Sequence, residues 1–150
     1  LELLRTLEFP GRSARVYIQD GETSRRKHVN EWAPYCSFGL NRKRDGEALV
    51  REIPPGVFTI RRTSVGVEIA SAGEDAGDPG GGIRVAGLFG NGGPGGTPWP
   101  YRYTTTMELY SERSPQLDDL TCAVKGGPPD RNLTREEIRR ALDGIARIGG

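Results

Sequence analysis

The chain has 150 residues, 35% of them hydrophobic and 27% charged, and a net charge of +1 at neutral pH. That length suits one well-cored domain and is too short for two, and the near-zero charge gives no electrostatic argument for nucleic acid or for an anionic membrane. No run approaches the ~18 apolar residues of a membrane helix.

The chain opens at Leu1 without a methionine or a charged-then-apolar leader, as expected of a processed or trimmed N-terminus. LELLRTLEF (1–9) reads as a strand or a helical turn, ended by Pro10–Gly11. In ARVYIQDG (14–21), Val16 and Ile18 alternate with Arg15, Tyr17 and Gln19, and Asp20–Gly21 follows: a half-buried strand entering a turn. The polar stretch 22–31 reads as a connector to a second strand, YCSFGL (35–40), and residues 41–46 as a further turn. EALVREI (47–53) precedes the Pro54–Pro55–Gly56 break. VFTIRR (57–62) and VGVEIA (65–70), separated by Thr63–Ser64, are expected to form a hairpin, because their β-branched and aromatic content suits a pleated surface.

IRVAGLF (83–89) is a further short strand candidate. YRYTTTMELYS (101–111) is the longest, with Tyr101, Tyr103, Thr105, Met107 and Leu109 on one face; LTCAVK (120–125) is the last. Short strands at this spacing predict a mainly β domain, an antiparallel sandwich or partly closed barrel. The end of the chain changes period. Thr134 and Glu137 stand at capping-box positions, Leu133 and Ile138 at staple positions, and Ile138, Ala141, Leu142, Ile145 and Ile148 recur at helical spacing. This predicts one C-terminal amphipathic helix at about 135–148, stopped by Gly149–Gly150. Residues 1–150 are therefore read as a single β-rich domain. A Gly/Pro-rich insert at 73–100 holds 11 of the 22 glycines, and loops of that length in compact domains tend to be functional or disordered.

Cys36 and Cys122 each lie inside an apolar strand-like segment. A disulfide between strands is the expectation, with two buried thiols of a cytosolic domain as the alternative. A bridge would place the domain in an oxidising compartment. His28 is the single histidine; beside Arg25, Arg26 and Lys27 it reads as a solvated loop residue, since adjacent cations disfavour a general base. No serine stands in a G-x-S-x-G elbow. Gly90, Gly92 and Gly95 satisfy G-x-G-x-x-G in form, but Pro94 and the following Thr97–Pro98–Trp99–Pro100 cannot start the helix that would hold a pyrophosphate. Glu74, Asp75 and Asp78 lack calcium-loop spacing and read as solvated acids. Asn132–Leu133–Thr134 has sequon form, which the capping role of Thr134 already explains. No catalytic set, metal site or cofactor site is expected. Phe89, Trp99 and Tyr101 border the glycine-rich insert and are the candidate partner-binding residues, the alternative being that such aromatics pack beneath the loop.

The strings V-Y-I-Q-D-G (16–21), A-P-Y-C-S-F (33–38), P-P-G-V-F-T-I (54–60) and M-E-L-Y-S (107–111) with L-T-C (120–122) carry a resemblance. They are similar to small envelope proteins of Gram-negative bacteria, often lipoproteins, with paired "pYC" and "LTC" segments. The resemblance covers most of residues 14–146 but not the glycine-rich insert. It implies the disulfide and a periplasmic or extracellular address, with any membrane anchor outside this chain, and it implies no activity.

The expectation is a non-catalytic periplasmic or extracellular binding or scaffolding module, whose partner is another envelope or extracellular protein. A small hydrolase or ligand-binding enzyme using a loop cleft with His28 is the alternative. Nucleic-acid binding through Arg25–Arg26–Lys27 and Arg42–Lys43–Arg44 ranks last, because acids balance those triplets.

Overall fold

A computed structural model describes residues 1–41, 50–69, 101–126 and 132–149. The N-terminal segment forms two short strands, β1 (Glu2–Leu3) and β2 (Leu7–Glu8). β3 (Arg15–Gln19) then turns through Asp20–Gly21 into β4 (Glu22–Ser24), a strand inside the stretch expected to be a plain connector. Asp20 and Gly21 both have positive φ, 50° and 77°. That is the backbone of a type I′ hairpin, and an Asp-Gly pair supplies it at low cost. A 3-10 turn at Arg26–His28 follows, then β5 (Tyr35–Leu40), β6 (Glu52–Ile53) and β7 (Gly56–Val57).

β8 runs unbroken from Thr59 to Ile69, which corrects the expected hairpin of 57–62 and 65–70. Thr63–Ser64 carries neither glycine nor a residue that tolerates positive φ, so it cannot make the primed turn a tight hairpin needs. β-branched Thr63 instead continues the strand. β9 (Tyr101–Tyr110), β10 (Leu117–Gly126), α1 (Arg135–Ala141) and β11 (Ala146–Arg147) complete the order. The helix is shorter than the expected 135–148. It stops at the Leu142 cap, Gly144 takes φ 64°, and the chain reverses so that β11 pairs with β1. The helical spacing of Ile145 and Ile148 misleads, because their apolar contacts are made from a turn and from the residue just after a short strand rather than from a helix.

Six strands form one antiparallel sheet in the order β4-β3-β5-β10-β9-β8, beside a three-stranded sheet β11-β1-β7 and a two-stranded pair β2-β6. The sheets are open, so of the two architectures expected, the partly closed barrel is not the one formed. Register places Val16, Phe38, Leu120, Met107 and Thr63 in one cross-strand row, and Ile18, Cys36, Cys122, Thr105 and Val65 in the next. These rows mark the inner face. The small strands and α1 cover it, contributing Leu3, Leu7, Ile53, Ile138, Ala141, Leu142 and Ala146 to a single core. The helix lies against β3 and β5.

Cys36 and Cys122 are bonded to each other across 86 residues of sequence, directly opposed on β5 and β10 with Cα atoms 3.9 Å apart. Both are fully buried. The bridge therefore joins the two central strands at the middle of the core.

Candidate functional site

The outer face of the large sheet is polar and divides into two clusters. In the first, β3 and β10 flank β5. Arg15 donates from both guanidinium nitrogens to the Asp119 carboxylate at 2.9 Å each, and also to Ser37 Oγ at 3.1 Å. Thr121 donates to the same carboxylate at 3.0 Å and exchanges a 3.2 Å hydrogen bond with Thr106. Gly39 lies directly beneath: a Cβ there would fall onto the Asp119 carboxylate and 3.2 Å from the Arg15 guanidinium carbon. This explains why all six residues of β5 are buried although one face looks outward. Every polar group in the cluster faces another, so it locks strands together and offers no free nucleophile or base.

The second cluster lies at the end of the sheet where β8 finishes, β9 begins and β10 finishes. Glu68, Arg102 and Lys125 stand side by side on those three strands. The loop 29–34, between the 3-10 turn and β5, brings Glu31 onto the row. Glu31 pairs with Lys125, with Arg102 at 3.2 Å and with Arg26 at 4.0 Å, while Arg102 also reaches Glu68 at 3.8 Å. Partial burial works against ionisation of Glu31. The hydrogen bond from Lys125 and the charges of Arg102, Lys125 and Arg26 outweigh it and hold the carboxyl below its ordinary pKa. Tyr35, beneath, is pushed up by burial.

The same loop is fixed from its other side by Gln19. Its amide donates to Asn30 O at 2.9 Å and accepts from Asn30 N at 3.0 Å. Asn30 in turn accepts at its side chain from Trp32 N at 3.1 Å and at its carbonyl from Ala33 N at 3.1 Å. Lys125 N donates to Glu31 O at 2.6 Å. The backbone around Trp32 is thus held by hydrogen bonds on both flanks, yet the side chain is 64% exposed. Burying an aromatic of this size is worth several kcal/mol at roughly 25 cal/mol per Å². The loop forgoes that gain and presents the ring to solvent.

Tyr101, the described member of the expected partner-binding trio, opens β9 at this same sheet end. It is half-buried, with its ring 6.5 Å from that of Tyr103. Phe89 and Trp99 lie outside the described residues, as do Glu74, Asp75, Asp78, the G-x-G-x-x-G pattern at 90–95 and Arg42–Lys43–Arg44. The candidate strand 83–89 lies there too. His28 ends the 3-10 turn in an exposed position, and its imidazole makes no hydrogen bond among the described residues. Of the basic triplet, Arg26 is drawn into the Glu31 cluster. No grouping of His, Cys, Asp and Glu suited to a metal ion occurs among the described residues, and no helix there is long and apolar enough to cross a membrane.

Sequence reasoning passed over Trp32. Its signal was an isolated large apolar residue in N-E-W-A-P (30–34), within a polar stretch and outside any alternating or helical period. A periodic search discards such a residue for the same reason that it ends up on the surface. Compared with protein-family models, with curated proteins and with solved structures, the chain finds no match.

Proposed function

We propose that this domain is a non-catalytic binding module that works outside the cytoplasm, in the periplasm or at the cell exterior, and engages another protein through Trp32. The carrying observation is the exposed indole on a loop whose backbone is already fixed. Tryptophan and arginine dominate the energetics of protein interfaces, and an anchor that is ordered before binding loses little entropy on docking. The 3-10 turn that precedes the loop carries the exposed cations Arg26 and Lys27, so polar charge is available near the anchor in sequence. The buried Cys36–Cys122 bridge and the resemblance to envelope proteins support the location.

The test compares wild type with Trp32→Ala as bait in the native envelope or culture fraction. A protein retained by wild type and lost with Trp32→Ala, at unchanged melting temperature, is the expected result. Equal retention by both would place the interface elsewhere.

A further inference from the structure

The two edges of the large sheet differ. One is β4, three polar residues long, a short edge that offers little to pair with. The other is β8, eleven residues long, and among the described residues no strand pairs with its outer side. Its two arginines and its bulge sit near its start, between Ile60 and Arg62. The following Thr63–Ser64–Val65–Gly66–Val67 contains no lysine, proline or charge, the devices that usually protect an edge. Val65 and Val67 lie on the inner face of the sheet by register, opposite Thr105 and Tyr103, yet they are 61% and 56% exposed. The described core therefore stops short of this strand and leaves two β-branched side chains uncovered.

The order of residues along β8 is self-complementary. We propose that two copies of the chain pair edge to edge through β8, antiparallel about a two-fold axis at Val65, and so extend the sheet across the dimer. In that register Val65 faces its own mate and Thr63 faces Val67, which builds one β-branched ridge across the junction. On the outer face Ser64 faces Gly66, and Arg62 of each copy faces Glu68 of the other. The two opposite-charge pairs arise only here. Sliding the strands so that the axis falls at Ser64 sets Arg62 against Gly66, and an axis at Gly66 sets Glu68 against Ser64. Glu68 is 65% exposed even while it approaches Arg102, so its carboxylate has room for a second cation. The contact is isologous and closes at two copies, as a two-fold requires.

The experiment measures solution mass by light scattering, from micromolar to near-millimolar concentration, on wild type, Arg62→Glu, Glu68→Arg and a mixture of the two variants. Wild type is expected at twice the chain mass. Each variant alone sets like charges against each other at both ends of the contact and is expected at the monomer mass. The mixture restores both opposite-charge pairs and is expected to recover the dimer. Val65→Lys, which sets two ammonium groups against each other on the axis, should be monomeric with the same melting transition as the monomeric Arg62→Glu variant, since Val65 is largely exposed in the single chain. A monomeric wild type, dimeric single variants, or a mixture that stays monomeric would each overturn the proposal. The Trp32 reading would survive any of these, because its loop meets the end of β8 only through the Glu31–Arg102–Glu68 ion pairs, and its own test reads a different quantity, partner retention, on Trp32→Ala.

Discussion

Single residues decide the details of this fold where the backbone has no slack. Gly21 is the clearest case. It takes φ 77° in the β3–β4 hairpin, its amide donates to Ala141 O at 3.2 Å, and a Cβ there would stand 2.5 Å from the Asp143 carbonyl oxygen. Gly21→Ala combines left-handed strain of about 1–2 kcal/mol with a collision against backbone that cannot rotate away. Chemical denaturation should show a loss of about 2 kcal/mol or more. A loss below about 0.5 kcal/mol would mean that the hairpin does not seat on the helix end. The Asp-Gly turn itself was legible in the sequence, because turn chemistry is local. Its seat against α1 was not, because that contact joins residues about 120 positions apart and no local pattern encodes it. Trp32 is the converse: a residue whose local context is unremarkable and whose significance appears only once Gln19 and Asn30 are seen to fix the loop beneath it.

At the scale of elements, success in reading the sequence followed the strength of the local signal. The capping box is fully formed: Glu137 N donates to Thr134 Oγ1 at 3.2 Å, and Thr134 N donates to the Glu137 carboxylate at 2.9 Å. Leu133 and Ile138 are both buried in the core, as a hydrophobic staple requires. Thr134→Ala removes the cap of a helix only seven residues long and is expected to cost about 1 kcal/mol. Arg139→Ala, on the exposed face, should stay within about 0.5 kcal/mol. Equal losses in urea titrations of the two variants would show that the cap contributes nothing. The far end of the helix was misread because apolar spacing reports which residues reach the core and not by what backbone they reach it. Gly144 was the missed stop signal. The same limit applies at Thr63–Ser64, where two short apolar runs were joined by residues that a strand tolerates and a tight turn does not.

The described residues form an open β structure held across its middle on both faces: Cys36–Cys122 ties β5 to β10 on the inner face, and the Arg15–Asp119 clamp spans β5 from β3 to β10 on the outer face. The disulfide was legible because each cysteine sat in a strand-like segment; their direct opposition was not, since it depends on β10 lying between β5 and β9. Removing the bridge with Cys36→Ala and Cys122→Ala together is expected to cost about 2–5 kcal/mol, read as a lower denaturation midpoint. An unchanged midpoint would show that the sheet needs no covalent tie. The same frame makes the loop 29–34 rigid, since Gln19 on β3 and Lys125 on β10 hold it from two strands that are themselves locked to β5. A stiff scaffold with an aromatic ring held outside it is the physical basis of the binding proposal.

That proposal is tested most directly by a photo-crosslinking amino acid placed at position 32 in the cells that make the protein, with position 136, on the exposed side of α1, as the control site. The account predicts a discrete crosslinked protein from position 32 and none from position 136. No adduct at position 32, or the same adducts from both positions, would contradict it.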